Sequence, residues 1–140
     1  MASKLSRKSA HRRSLVRNLL SSLILYESIK TTREKAMIVK SEIDILINKS
    51  KLQNLQSRRF AKSTLFDKNS YKKLFEQIVP RYGGVTSGYC KMYRLSNRLG
   101  DNAPMALLEL SRKQEYLESK NKNENIKPSK TISDKKTKSK

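Results

Sequence analysis

The run Gly88-Tyr89-Cys90-Lys91-Met92-Tyr93-Arg94-Leu95-Ser96-Asn97-Arg98-Leu99-Gly100-Asp101-Asn102-Ala103-Pro104-Met105-Ala106-Leu107-Leu108-Glu109-Leu110 decides how this chain folds, because it alone reads as sheet. Alternation along an extended backbone puts Tyr89, Lys91, Tyr93 and Leu95 on one face and Cys90, Met92 and Arg94 on the other. Gly100-Asp101-Asn102 supplies turn chemistry: Gly and Asn tolerate positive φ, and Asp and Asn side chains bond their own backbone. The apolar run Met105 to Leu110 then returns, which predicts a β-hairpin closed by a tight turn. Pro104 has no N–H to give to a ladder, so it belongs at the start of the second strand or on an edge. Two strands alone are marginal in water. The hairpin must therefore pack on the helices that precede it.

Upstream, the apolar positions recur at helical spacing. A first helix starts near Ser9, with Leu15, Val16, Leu19, Leu20, Leu23, Ile24 and Tyr26 on one half of the wheel and His11, Arg17, Asn18 and Ser21 opposite. Ser28 to Thr32 is a short β-prone link, strand or loop on sequence alone. Thr31 and Glu34 have the spacing of a capping box for a second helix to about Ser50, which buries Ala36, Val39, Ile43, Leu46 and Ile47. A third helix covers Leu55 to Leu65, turning Phe60, Ala61 and Leu65 inward and projecting Arg58 and Arg59. A fourth spans about Ser70 to Val79 through Tyr71, Leu74, Phe75 and Ile78, and Pro80 ends it. Arg81 to Ser87 reads as the loop into the hairpin.

Composition narrows what such a domain can do. Of 140 residues, 36% are hydrophobic and 31% charged, enough for a small core but leaving little apolar surface to line a deep pocket. Basic residues number 32 against 12 acidic, a formal charge of +20, and a body this positive seeks a polyanion. Nucleic acid is the first candidate and an anionic membrane surface the second. No run approaches the ~20 apolar residues of a membrane span. The single cysteine, Cys90, excludes an internal disulfide and a Cys-cluster metal site, and a lone histidine, His11, excludes most His-based ones.

The N-terminal 17 residues carry Lys4, Arg7, Lys8, Arg12, Arg13 and Arg17 and no acid; the first acidic residue is Glu27. This composition gives a basic arm over residues 1–8 leading into the helix, with a mitochondrial transit peptide as the other reading. Past Glu118 the chain turns to Lys, Asn and Ser, so residues 119–140 are expected to be a disordered Lys-rich tail and residues 9–118 the folded domain.

The quoted hairpin resembles the C-terminal signature of the bacterial large-ribosomal-subunit proteins of the L-seventeen family, at Asn97, Arg98, Gly100, Asp101, Asn102, Ala103, Pro104, Met105 and Glu109. The start resembles the same family at Lys4, Leu5, Arg7, His11, Arg12, Arg17, Asn18, Leu23, Glu27, Ile29, Thr31 and Thr32. One departure is that only Met1-Ala2-Ser3 precedes Lys4, where relatives have a longer basic segment. The resemblance implies an α+β two-layer domain: helix, short strand, three helices, then the hairpin, with about four helices on a small sheet. It also implies a structural protein bound to large-subunit rRNA beside neighbouring large-subunit ribosomal proteins. The expected location is a bacterial cytoplasmic ribosome, with a mitochondrial or plastid ribosome as the alternative.

No catalytic constellation is present. His11 lies among arginines and serves no triad, Cys90 reads as a small packing residue, and Asp101 is a turn former rather than a metal ligand. Gly83-Gly84 lacks the Lys-Ser/Thr of a phosphate loop and follows a helix. The expectation is therefore no enzyme, no cofactor, no small-molecule substrate and no homo-oligomer. The candidate RNA-binding residues are Lys4, Arg7, Lys8, His11, Arg12, Arg13, Arg17, Asn18, Lys30, Arg58, Arg59, Lys91, Arg94 and Arg98. Tyr89 and Tyr93 could stack on bases, and at least one is expected in the core. The rival readings are a DNA-compacting or other architectural protein and a peripheral membrane protein.

Overall fold

The second helix is the element on which the others rest. In α2 (Arg33–Lys51) the residues Ala36, Val39, Ile43, Leu46 and Ile47 recur every three or four positions, so a helix gathers them on one stripe, and all are buried. Each Leu or Ile so covered stabilises the fold by about 1.5–3 kcal/mol. The structure, a computed structural model, describes residues 5–112. The expected Lys-rich tail and the first half of the basic arm lie outside the described residues. Within them the order is α1 (Ser9–Tyr26), β1 (Ser28–Thr32), α2, α3 (Leu55–Thr64), α4 (68–81), β2 (Cys90–Leu95) and β3 (Met105–Leu110). This is the four-helix α+β arrangement expected.

The sheet is antiparallel with β3 in the centre, flanked by β1 and β2. Pairing of Thr31 with Ala106, Ile29 with Leu108 and Met92 with Leu108 aligns one face toward the helices. That face carries Ala106, Leu108, Leu110 and Cys90, all buried. α2 packs on all three strands, while α1, α3 and α4 pack against α2. The link Ser28–Thr32 is thus a strand, because the returning hairpin offers it the open edge of β3.

Five details differ from the sequence expectations. Pro80 does not end the fourth helix: α4 has Lys68–Lys73 α-helical, a π turn at Leu74–Ile78, and a last α turn at Val79–Arg81. The π turn, closed by the Val79 N–H on the Leu74 carbonyl, spreads the carbonyls that the Pro80 ring would meet in a regular helix. The Thr31–Glu34 capping box does not form. Thr31 is in β1 and buried, Thr32 is the N-cap without a side-chain bond, and the Arg33 N–H donates to the Pro104 carbonyl at 2.9 Å.

Tyr26 points outward, 70% exposed, because the chain leaves α1 at Glu27 with φ 61°. The hairpin turn is a longer loop over 96–104, since Leu95 pairs with Met105. The turn residues still act within it: Gly100 and Asn102 have positive φ, and the Asn102 N–H donates to the Arg98 carbonyl at 3.0 Å.

Tyr89 lies just before β2 and does not share the exposure of Lys91 and Tyr93. After Gly88, at φ 73°, it turns into the core and is fully buried. Its ring meets Tyr82 edge to face at 5.2 Å, its N–H donates to Asp44 at 3.3 Å, and Lys51 donates to its hydroxyl at 2.6 Å. The hydroxyl also reaches Asn48 and the Val85 carbonyl. One aromatic ring thereby ties the start of the hairpin to α2.

Candidate nucleic-acid interface

The first turn of α1 has no acidic residue, and its N-cap, Lys8, makes no side-chain bond. The open N–H groups and the helix dipole add to the charge of the nearby arginines, so this end favours an anion. Arg12, Arg13 and Arg17 follow at spacings of one and four, which places them along one flank of α1. That flank borders a groove of about 520 Å³ closed on its other sides by α2 and α3. Val16, Leu20, Ile38 and Phe60 supply its apolar lining; Glu42, Ser63 and Thr64 supply its far rim.

Arg17 is not opposed to the apolar side as the wheel suggested. It is half-buried, its guanidinium carbon 4.5 Å from the ring centroid of Phe66. Phe60 carries the Lys49 ammonium at 4.1 Å. Cations held over ring faces stay ordered at a surface that water still reaches. The Arg12 and Arg13 side chains make no hydrogen bond or ion pair within the described residues.

The other candidates are dispersed. Lys4 lies outside the described residues. Arg7 is half-buried and donates to the Leu5 carbonyl at 3.2 Å, while Lys8, His11 and Asn18 are exposed near the groove-bearing end of the chain. Arg58 stands 5.7 Å from Phe75 over a second, shallower hollow of about 440 Å³ between α3 and α4, with Lys68, Lys72 and Tyr71; Arg59 is exposed beside it in sequence. Lys30 and Lys91 lie on the face of the sheet away from the helices, together with Tyr93. Arg94 has the opposite parity and is exposed near the end of β2.

Arg98 is engaged locally. It grips Asp101 through two bonds, Nε to Oδ1 at 3.0 Å and Nη2 to Oδ2 at 2.5 Å, and holds that carboxyl down to about 2. Its charge is already answered within the loop.

Sequence reasoning missed Phe66, Glu42, Ser63 and Thr64 as neighbours of the arginines, because nothing in their spacing tells which helices meet. Burial pushes the Cys90 thiol up to about 11, and no three His, Cys, Asp or Glu side chains gather as a metal site among the described residues. No helix among them is long and apolar enough to cross a membrane.

Fold and surfaces together define a small basic α+β protein whose arginines stand on rigid helices around shallow aromatic hollows. The chain belongs to the family of ribosomal protein L17, whose model matches residues 15–111, from the apolar part of α1 to just beyond β3. It is accordingly a structural constituent of the large ribosomal subunit, with rRNA and ribosomal proteins as its surroundings. The matched span includes Arg17, Asn18, Lys30, Arg58, Arg59, Lys91, Arg94 and Arg98, and leaves out Lys4, Arg7, Lys8, His11, Arg12 and Arg13.

Proposed function

We propose that this chain binds and stabilises folded large-subunit rRNA through the α1 flank, the α3–α4 hollow and the outer face of the sheet. The observation that carries the reading is the convergence of Arg12, Arg13 and Arg17 on one groove beside an uncapped, acid-free helix start. Family membership supplies the large subunit as the setting. The mechanism is neutralisation and positioning: residues 9–118 act as a rigid basic wedge, and the basic arm, residues 1–8, orders against RNA through charge-assisted bonds that offset its lost entropy. Lys, Asn and Ile richness fits the AT-rich genome of a reduced bacterium or of an organelle alike; the reading is a bacterial ribosome of the cytoplasm, with a mitochondrial or plastid ribosome as the alternative.

The test is binding of the full-length chain to a large-subunit rRNA transcript over a range of salt. Arg12→Ala with Arg17→Ala should weaken binding and lower the salt slope by roughly 0.7–0.9 for each phosphate that is no longer neutralised. Unchanged affinity and slope would remove α1 from the interface. Equal affinity for duplex DNA at the same salt would favour an architectural protein without preference for folded RNA.

A further inference from the structure

The groove between α1, α2 and α3 is not built as a phosphate site throughout. Val16, Leu20, Ile38 and Phe60 line it beside the arginines, and a phosphate held by those arginines would leave the apolar side chains uncovered by any partner. Its volume of about 520 Å³ lies within the roughly 300–1,000 Å³ range of small-molecule sites. Opposite the arginines stands Glu42, a carboxylate in a strongly cationic protein, with no ion pair among the described residues. Against phosphate alone that residue would be unfavourable. Against a heterocyclic base it is an acceptor.

We propose that this groove receives one unstacked rRNA base bearing an exocyclic amino group, with Arg12 and Arg13 holding its flanking phosphates. The inference rests on the rRNA-binding reading and specifies what that surface takes. The ring lies against Phe60 and the aliphatic lining, as single-stranded bases do on aromatic side chains. Glu42 accepts from the amino group of adenine, cytosine or guanine, a bond that uracil cannot give. Ser63 and Thr64 each donate their hydroxyl hydrogen to the Phe60 carbonyl, at 2.8 and 3.0 Å, so their oxygens remain available as acceptors toward the base edge. Arg12, half-buried, and Arg13, exposed, line the same groove, within reach of the sugar–phosphate chain of an inserted base. A protein side chain could fill the hollow, but it would leave those two guanidinium groups unanswered.

Ser63→Phe fills the hollow from an exposed position on α3 without altering charge. With the full-length chain and a large-subunit rRNA transcript, this variant should bind about tenfold more weakly with an unchanged salt slope. Arg12→Ala with Arg13→Ala should instead flatten the slope. A thermal melt like that of the parent certifies the fold of each variant. Wild-type affinity for Ser63→Phe, with the parent binding rRNA, would overturn the groove site and leave the rRNA reading intact; a parent that does not select rRNA would overturn both. Ultraviolet crosslinking of the parent complex, read by peptide mass spectrometry, decides the matter should the variant not fold. A purine or cytidine adduct on the peptide holding Phe60 supports the site, and adducts confined to other surfaces refute it.

Discussion

Glu27 and Arg81, 54 residues apart, form a two-pronged ion pair, Nη1 to Oε2 at 2.7 Å and Nη2 to Oε1 at 3.2 Å. Their side chains are 8% and 7% exposed. Lys73 reaches the same carboxylate at 2.8 Å and also donates to the Leu25 carbonyl. The backbone of Glu27 is equally engaged: its N–H closes α1 on the Leu23 carbonyl, and its carbonyl accepts from Leu110 of β3. One residue therefore joins the end of α1, the central strand and α4. It holds a left-handed conformation that glycine usually takes at a helix end, because glycine could not supply the carboxylate.

Removing the carboxylate should leave Arg81 and Lys73 short of a buried partner and cost about 3 kcal/mol in Glu27→Gln, read by chemical denaturation. Glu27→Gly should be milder than Glu27→Ala by about 1 kcal/mol, since it relieves the positive φ. Equal stability of the two would show that the backbone stores no strain there.

Acid should undo the same contact. Burial alone would raise the Glu27 carboxyl, but the bonds and charges of Arg81 and Lys73 outweigh it and hold it below the ordinary 4.5. A carboxyl lowered by folding adds stability above its unfolded value and loses it as pH falls through the folded one. The melting temperature should therefore drop below about pH 4.5, and Glu27→Gln should drop less steeply over that range.

Tyr89→Phe keeps the ring and removes the hydroxyl that meets Lys51, Asn48 and the Val85 carbonyl. The expected cost is about 1–2 kcal/mol, because the Lys51 ammonium loses an acceptor in a half-buried place. Proton exchange at the β2 amides should quicken along with the lowered melt.

Cys90 should be inert in the folded chain. Its thiol is buried and raised to about 11, so little thiolate forms at pH 8. A thiol reagent should label it at the rate of opening and at once in denaturant; fast labelling of the native protein would mean that β2 is frayed.

Asn54 caps α3, its Oδ1 accepting from the Ser57 N–H at 2.7 Å. Asn54→Ala should cost about 1 kcal/mol. The loss should appear in global stability, since α3 forms one wall of the groove against α2.

Much of this architecture is legible in the residues. The stripe of α2 repeats with a period that only a helix turns to a single side, so Ala36, Val39, Ile43, Leu46 and Ile47 could be assigned inward without a structure, whereas Met105 to Leu110 read only as an apolar run whose inward residues the sheet pairing chose. Gly100 and Asn102 announced their positive φ by type. Pro80 misled because a local rule, that proline stops a helix, was overridden by a π turn that the surrounding packing tolerates. Thr31 misled because its strand partner, Ala106, is 75 positions away, beyond any local motif.

Residue type and short spacing set the basic character, the first three helices and the hairpin, and the hairpin signature carries the resemblance to the family. The folded chain had to settle the rest: that β3 lies between β1 and β2, that Tyr89 turns inward while Tyr93 stays 46% exposed, and that Arg12, Arg13 and Arg17 face Glu42 and Phe60 across one groove. Such juxtapositions follow from which apolar faces meet when the core closes. Burial is non-directional and distributed over many side chains, so no single stretch of the chain encodes its own neighbours.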